Sequence, residues 1–365
     1  MIWLSPLLQE ILVAGAGCAI GISGGKDSQA LLITVVTWLR AQGYLGKIFA
    51  IFADLGRAEW IQTHSFIECL CHSLQVELVV VHRARGDLLD LIDQRRAALD
   101  DTAPFWPSSA ARYCTSGSKR GPIDQHLRQF RLVLSLEGIR AQESDARAEK
   151  EPLTLRASIT GKRYRDLSPG HTWMLYQEDC EKTLRYQQLP LFDDKASEGT
   201  LSTTLPRLAF TWYPLFNWSV EAVWQACGTS SEELQDRRQL CQEGTLRQDA
   251  TQRERALAGW PAHPAYVFGA RRLSCSLCVM GDVTTLRTGA IHQPDYYRTL
   301  CWKEIQSGYS FQPQRWLCDI APELLTEEMR FLLEQHPRRR LWREAQARRQ
   351  APGKKVRKAL PMLAQ

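Results

Sequence analysis

The sequence predicts an α/β fold built on a doubly wound, mostly parallel sheet. Apolar runs alternate with amphipathic helical patterns over roughly the first 140 residues, an order typical of parallel sheets with helices on both faces. A turn with two adjacent glycines joins the first apolar run to its helix, as expected at the rim of such a sheet. We expect strands at residues 17–22, 47–53, 76–82 and 131–136, and helices at 27–42 and 59–74.

The turn after the first strand is a candidate phosphate-binding loop. It comprises Ser23, Gly24, Gly25, Lys26, Asp27 and Ser28. The glycines allow a sharp turn, and the helix that follows presents free N–H groups and the positive end of its dipole. The lysine adds a positive charge and the serines add hydroxyl groups. The lysine spacing excludes a Walker A loop, which requires G-x-x-x-x-G-K-[ST].

Two further polar segments follow predicted strands. Asp54 comes after the second strand, and residues 138–147 follow the strand at 131–136. Ligands bind at the carboxyl ends of the strands in such sheets, so all three segments should lie on one rim. Arg140 and Arg147 could form forked hydrogen bonds to phosphate oxygens there. Together these segments predict a nucleotide site.

The cysteines indicate a second site. The chain has 11 cysteines, and in a reducing compartment clustered cysteines suggest metal binding or catalysis. Cys275 and Cys278 form a C-x-x-C motif, which could be half of a zinc site, a redox pair or part of an iron–sulfur site. Cys114 is a candidate third thiolate. A fourth ligand could be Cys241, Cys301 or Cys318, or a group that is not protein.

Composition limits where the protein acts. No run of about 18 apolar residues appears, and the amino terminus lacks the basic region of a signal peptide. We therefore expect a cytoplasmic protein that does not span or bind a membrane. The net charge of +6 is unevenly distributed, because residues 338–365 contain ten Lys or Arg and only one acidic residue. This basic tail suggests contact with nucleic acid or another polyanion, although a solvated tail with no partner explains it equally well.

The same patterns predict how the chain is divided. Residues 1–150 form the nucleotide-binding domain, and residues 151–207, where patterning is weak, form an insertion or linker. Residues 208–337 form a helical, cysteine-containing region, and residues 338–365 form the basic tail.

Several motifs resemble those of one superfamily. Residues 23–28 resemble the PP-loop of the ATP pyrophosphatases, which cleave ATP between the α and β phosphates. Residues 138–147 are similar to the G-x-R-x-x-[QE]-S-x-x-R segment of the adenosine-phosphosulfate reductase superfamily, and residues 212–224 resemble its P-L-x-x-W-x-x-x-[DE]-V-W element. The chain thus resembles the phosphoadenosine-phosphosulfate reductase superfamily, which implies an adenine nucleotide alpha hydrolase-like sheet.

Residues 112–123 resemble the C-C-x-x-x-K-x-x-P-[LI] segment of reductases that carry an iron–sulfur cluster. Cys114 and Lys119 match this pattern, whereas Thr115 replaces the second cysteine. Glu143 stands where the reductases usually have glutamine, and the sequence has no E-C-G-L-H tail. These departures favour the sulfurtransferase-type members, such as the DNA phosphorothioation enzyme and its phage and mobile-element relatives.

The resemblance implies that ATP and Mg²⁺ bind at the loop, where an acceptor oxygen is adenylylated and pyrophosphate is released. A sulfur nucleophile then displaces AMP, with Cys114 or a sulfide held by an iron–sulfur cluster as the donor. The implied catalytic residues are Lys26, Asp27, Cys114 and Arg140. The implied nucleotide-binding residues are Ser23, Gly24, Gly25, Lys26, Asp27, Ser28, Asp54, Gly138, Arg140, Ser144 and Arg147. The implied ligands of a [4Fe-4S] cluster are Cys114, Cys275 and Cys278.

The resemblance also implies partners and leaves alternatives open. DNA is a possible acceptor, held by the basic tail, and a cysteine desulfurase is the implied sulfur source. The first alternative is a sulfonucleotide reductase that releases sulfite. The second is a nucleotide-binding subunit of a larger complex, without catalysis of its own.

Overall fold

The computed structural model describes residues 2–187 and 206–350. Their central feature is a six-stranded sheet in the order β3-β2-β1-β4-β6-β5. The first five strands in that order are parallel, and only β5 runs antiparallel, against β6. The strands are β1 Gly17–Ile22, β2 Ile48–Ala53, β3 Glu77–Val81, β4 Leu132–Leu136, β5 Leu153–Leu155 and β6 Leu208–Trp212. The predicted α/β class and mostly parallel sheet are confirmed.

Helices flank the sheet and make up most of the chain beyond it. Those of the described residues are α1 Pro6–Val13, α2 Lys26–Ala41, α3 Thr63–Ser73, α4 Leu88–Leu99, α5 Tyr113–Thr115, α6 Gly121–Leu127, α7 Asp145–Ala148, α8 Pro169–Gln187, α9 Val220–Ala226, α10 Ser231–Leu246, α11 Ala250–Leu257, α12 Val283–His292, α13 Pro294–Ser307, α14 Glu327–Gln335 and α15 Pro337–Gln350. No helix among these residues is both long and apolar enough to cross a membrane.

The strand order places a crevice at one edge of the sheet. From β1 the chain adds β2 and β3 on one side, then returns to add β4 and β6 on the other. Such a reversal leaves a gap at the carboxyl ends of the two strands beside it, here β1 and β4. The predicted loop at residues 23–28 begins directly after β1, and residues 138–147 follow β4.

The segment predicted as an insertion or linker contains regular structure. It includes β5, which pairs with β6, and α8, whose Trp173 and Tyr176 are buried in the same core as the sheet. β5 has three residues, too few to show an alternating pattern, and therefore could not be predicted from the sequence. Residues 188–205 of this segment and residues 351–365 of the basic tail lie outside the described residues.

Two large apolar cores hold the molecule together. The first lies around the sheet, α1, α2 and α9, with Leu31, Phe210 and Trp224 among its buried side chains. The second joins α4 to the C-terminal helices and includes Leu55, from the segment after β2, and Tyr297, from α13. Because the second core includes residues that follow β2 as well as residues of the C-terminal helices, the helical region is held against the carboxyl rim of the sheet.

Candidate nucleotide and thiol site

The loop after β1 has the backbone of an anion cradle. Gly24 has a φ of 74°, in the left-handed region that favours glycine. Gly25 then forms the N-cap of α2. Within the described residues no acceptor meets the backbone N–H groups of Gly24 and Gly25. Two free N–H groups at the start of a 16-residue helix form a site that suits a phosphate.

The two serines of the loop differ in their roles. The buried Ser28 hydroxyl accepts a hydrogen bond from the Ser23 backbone N–H at 3.1 Å and donates one to the Gly25 carbonyl at 2.9 Å. Ser28 therefore braces the turn from within. Ser23 is exposed, and its hydroxyl remains at the surface of the cradle, 3.3 Å from that of Ser28.

Three of the predicted catalytic side chains meet at the first turn of α2. Lys26 Nζ lies 2.6 Å from one carboxylate oxygen of Asp27, and Arg140 Nε lies 2.6 Å from the other. Burial alone would raise the pKa of Asp27, but Lys26 and Arg140 outweigh it and hold that pKa below its ordinary value. Asp27 is thus an ionised bridge that fixes two cations beside the cradle.

Gly138 acts on this bridge through the backbone. A Cβ at Gly138 would come within 2.9 Å of the carbonyl group of Asp27 and 3.2 Å of the Ser28 nitrogen. The residue thus permits β4 to approach α2 closely, which is a packing reason for glycine at this position. Farther along the segment, Ser144 is exposed and Arg147 forms an ion pair with Glu143.

Asp54 lies on the same rim, one strand away. β1 and β2 pair in register with Ile22 beside Phe52, so the residues that follow each strand emerge as neighbours. The Asp54 carboxylate accepts a hydrogen bond from the Gly56 N–H at 2.8 Å, which turns the chain away from the sheet. The second oxygen of Asp54 has no hydrogen-bond donor among the described residues.

The C-x-x-C segment reaches this rim from the other end of the chain. The Ser276 N–H donates to the Ala58 carbonyl at 2.9 Å, which fixes the segment to the turn after β2. Leu273 packs against the cradle, since a Cβ at Gly24 would lie 3.1 Å from its side chain. Leu273 therefore covers the phosphate loop, and Cys275 follows it by two residues.

Cys114 joins the other two thiols around Lys119. Cys114 lies in α5, and a π-helical turn at Ser116–Arg120 follows and carries Lys119. Such turns are frequent at functional sites. Burial would lower the pKa of Lys119, but Cys275, Glu59, Cys278 and Cys114 together raise it. One lysine is thus close to all three predicted metal ligands.

The thiol pair is polarised. Interaction with Cys275 lowers the pKa of the Cys278 thiol, helped by the Met280 N–H, which donates to the Cys278 sulfur at 3.5 Å, whereas Cys278 and burial raise the pKa of Cys275. Three thiols are a soft donor set, which suits an iron–sulfur cluster or zinc. In a [4Fe-4S] cluster each cysteine binds its own iron, so the three sulfurs need not converge on one point.

The candidate fourth ligands are all buried in the two apolar cores, and Cys114 and Cys275 pack against the core that contains Cys301 and Cys318. Cys241 is buried in the core around the sheet. Cys301 and Cys318 lie with Glu304 in a buried group whose ligand atoms are within 4.8 Å of one another. Both oxygens of Glu304 accept hydrogen bonds from backbone N–H groups, so this carboxylate organises the loop before and at residues 317–319.

Three residues of the site were not predicted from the sequence. Tyr266 accepts a hydrogen bond from the Lys26 backbone N–H at 3.0 Å, and the Trp224 ring lies 5.9 Å from Lys26 Nζ. Both come from segments about 200 or more residues away, so no local pattern could reveal them. Burial and Asp54 raise the pKa of Glu59 to about 7, against the opposing effect of Lys119. Glu59 therefore lies between the nucleotide rim and the thiols.

Comparison with known proteins shows which family the chain matches. The phosphoadenosine phosphosulfate reductase domain family matches residues 17–237. A search of curated proteins found no match. One similar solved structure is phosphoadenylyl-sulfate (PAPS) reductase from Candida auris in its phosphate complex, at 15% identity and a TM-score of 0.33, covering 64% of this chain and 84% of that one.

Another is the U34-tRNA thiolase NcsA from Methanococcus maripaludis with its [4Fe-4S] cluster, at 12% identity and a TM-score of 0.28, covering 74% of this chain and 77% of that one. The family match spans more than half of the 365 residues and includes the whole cradle. The chain therefore belongs to the phosphoadenosine phosphosulfate reductase domain family.

Proposed function

We propose that the protein is an ATP-dependent sulfurtransferase-type enzyme that adenylylates an acceptor oxygen before sulfur is inserted. The family match supports a nucleotide-using enzyme of sulfur chemistry. The observation that carries the finer proposal is the shared rim. A phosphate cradle with an ionised cation bridge lies beside three thiols, and Leu273 covers the cradle two residues before Cys275.

The cradle residues bind and orient the nucleotide. Gly24 and Gly25 donate backbone N–H groups to the phosphates, and Ser23 adds its exposed hydroxyl. Lys26 moves from Asp27 to the α-phosphate, where it offsets the charge that develops as the bond to the β-phosphate breaks. Arg140 stays on Asp27 and keeps the bridge in place. Asp54 has a free carboxylate oxygen for Mg²⁺ or the nucleotide.

The reaction proceeds in two displacements. The acceptor oxygen attacks the α-phosphorus, the α–β phosphoanhydride bond breaks, and pyrophosphate leaves with the electron pair of that bond. A sulfur nucleophile then attacks the activated centre of the acceptor, and AMP leaves with the oxygen. An anionic sulfur species is the competent nucleophile in such a displacement. Sulfide from the sulfur source balances the step, because its sulfur bonds to the acceptor as AMP leaves and no carbon–sulfur bond has to break; Cys114 would help to hold that sulfide at the site.

The thiol group fits an iron–sulfur cluster. Cys114, Cys275 and Cys278 would hold it, and Lys119 would balance the negative charge of the thiolates. When bound, the cluster would supply a soft metal centre with affinity for sulfur. Glu59, with a pKa near 7, is placed to hold or release a proton between the nucleotide rim and the thiols.

For the acceptor we propose DNA, and for the sulfur source a cysteine desulfurase. All 11 cysteines are free thiols, as expected in the reducing cytoplasm where such a partner would act. Arginine-rich α15, the described start of the basic tail, is one candidate contact for DNA.

A sulfonucleotide reductase is the second candidate, because the matching family takes its description from that activity. The same cradle would accept phosphoadenosine phosphosulfate. Cys114 would attack its sulfur as adenosine bisphosphate leaves, and an added thiol reductant would then release sulfite from the cysteine. The two functions differ in their products, since the first releases pyrophosphate from ATP and the second releases sulfite from the sulfonucleotide.

The test supplies anaerobically purified protein with either ATP or phosphoadenosine phosphosulfate and measures both products. We expect pyrophosphate from ATP in the presence of acceptor and a sulfide source, and its loss in Lys26→Ala. The exposed Lys162→Ala serves as the matched control and should retain activity. Sulfite from the sulfonucleotide without pyrophosphate from ATP would establish the second candidate instead.

A further inference from the structure

The arginines of helix α15 are largely committed to packing. The guanidinium groups of Arg339 and Arg343 both pair with Asp319. Arg338 donates to the backbone carbonyl that ends α13 at 2.8 Å, and Arg348 pairs with a glutamate one turn earlier in α15. The contacts of Arg338, Arg339 and Arg343 dock α15 onto the helical region, whereas that of Arg348 lies within α15. Four arginines in the described start of the basic tail thus already have a protein partner.

Unpaired cations occur instead beside the thiols. Four arginines on the two cysteine-bearing segments are exposed, and within the described part of the chain no carboxylate forms an ion pair with their guanidinium groups. They are Arg112, Arg120, Arg271 and Arg272.

These arginines flank the thiol group from both sides. Arg112 precedes Cys114 by two residues, and Arg272 precedes Cys275 by three. Consecutive Cα atoms are 3.8 Å apart, so each of these arginines has its Cα within about 11 Å of the Cα of its cysteine. The two segments come from opposite halves of the chain and meet at the second apolar core, against which Tyr113, Cys114 and Cys275 all pack.

The positive surface continues toward the nucleotide rim. Burial and Glu137 raise the pKa of Tyr213, and Arg120 and Arg147 both oppose that rise. Arg120 and Arg147 therefore lie near the same hydroxyl, next to the end of β6. The rim carboxylates Asp27, Asp87 and Glu143 are already paired with other cations. Burial would raise the pKa of Asp282, but Thr285 and the charge of Arg271 lower it, so this carboxylate lies near Arg271 without forming an ion pair with it.

We infer that the phosphate backbone of a nucleic acid crosses the mouth of the thiol site and is held there by Arg112, Arg120, Arg271 and Arg272. Guanidinium groups bind phosphates through forked hydrogen bonds, and a row of phosphates can meet cations on both sides of a site at once. A single nucleotide is held by the cradle and would leave these arginines free. The inference rests on the proposed function, because it identifies the surface that presents the acceptor to the thiols.

The test measures binding of full-length protein to short fluorescent duplex DNA, single-stranded DNA and RNA over a range of salt concentrations. The variants are the double substitutions Arg112→Ala with Arg120→Ala and Arg271→Ala with Arg272→Ala. Exposed Arg247→Ala, at the end of α10, and Arg340→Ala, in α15, are the matched controls. Thermal unfolding of each variant checks that it is folded.

Each double substitution should weaken nucleic-acid binding several-fold and reduce the slope of log K against log salt. The expected reduction per lost phosphate contact is about 0.9 for duplex DNA or about 0.7 for a single strand. The inference is overturned if wild-type protein binds none of the three probes or if the folded double variants bind like wild type. It is also overturned if Arg340→Ala weakens binding as much as the double substitutions do. ATP turnover by wild-type protein is measured separately, so failure of the proposed function is told apart from failure of this surface.

Discussion

The bridge formed by Asp27 should stabilise the fold, and Asp27→Asn tests this. The lysine and arginine nitrogens each lie 2.6 Å from the carboxylate. The side chain of Arg140 is only 5% exposed and that of Asp27 is 20% exposed. The substitution leaves a buried guanidinium without its counter-ion, and such a loss costs about 3–5 kcal/mol. Because Asp27 keeps some contact with water, we expect the lower end, about 3 kcal/mol.

The same bridge makes a prediction about pH. Burial would raise the pKa of Asp27, but its two cations hold that pKa below the ordinary value of 3.8. The stability that this carboxylate contributes is therefore present above about pH 3.8, its ordinary pKa, and is lost as the pH falls through the folded-state pKa. Wild-type protein should lose stability in acid more steeply than Asp27→Asn does.

Urea unfolding at neutral and acidic pH measures both effects. Glu77→Gln is the matched control, because the Lys47–Glu77 pair spans 3.1 Å with both side chains about half exposed. Surface pairs of this kind contribute up to about 1 kcal/mol. An Asp27→Asn variant that is no less stable than Glu77→Gln at neutral pH, or that keeps the acid response of wild type, would refute the reasoning.

Three further substitutions test other parts of the structure. Gly138→Ala places a Cβ 2.9 Å from the backbone of α2, so it should cost about 1–3 kcal/mol of stability in urea and weaken ATP binding by calorimetry. Gly170→Ala meets nothing within 4 Å and should cost nothing. Cys278→Ser should remove most of the iron and visible absorbance of anaerobically purified protein, whereas Cys69→Ser, on the exposed face of α3, should leave both unchanged; a colourless wild type containing zinc would contradict the cluster assignment. Asp124→Asn removes the carboxylate 2.7 Å from buried Arg156, which keeps Glu137 at 3.0 Å, so the cost in urea should be about 3 kcal/mol, the lower end of the range for buried pairs; a cost below about 1 kcal/mol would contradict a buried ion pair here.

The sheet was predictable because its predicted strands are apolar runs, and β1, β2 and β4 are almost wholly buried, whereas the edge strand β3 is partly exposed. The strand at residues 17–22 agrees at both ends, and the other three begin or end within a residue of the prediction. Each is followed by a helix, so the parallel order follows from alternation alone. Two strands were missed. β5 has only three residues at an antiparallel edge and so no period to detect, and β6 falls at the start of the segment predicted as a helical region.

The site was predictable only where its residues are local in sequence. The glycine turn and the first charges of α2 stand together in the chain, so their proximity needed no structure. Gly138 has a packing role that local sequence could not reveal, because the backbone of α2 approaches it from another part of the chain. Tyr266 and Trp224 cover the cradle through contacts that span about 200 or more residues, and no pattern of spacing encodes such contacts.

We expect the protein to split ATP between its α and β phosphates beside the thiols. Phosphorus NMR can follow this reaction in anaerobic protein with ATP, Mg²⁺, nucleic acid and a sulfide source. AMP and pyrophosphate should appear together and in equal amounts, and Lys26→Ala should form neither. Formation of ADP and phosphate, or ATP that stays intact under all these conditions, would contradict this expectation.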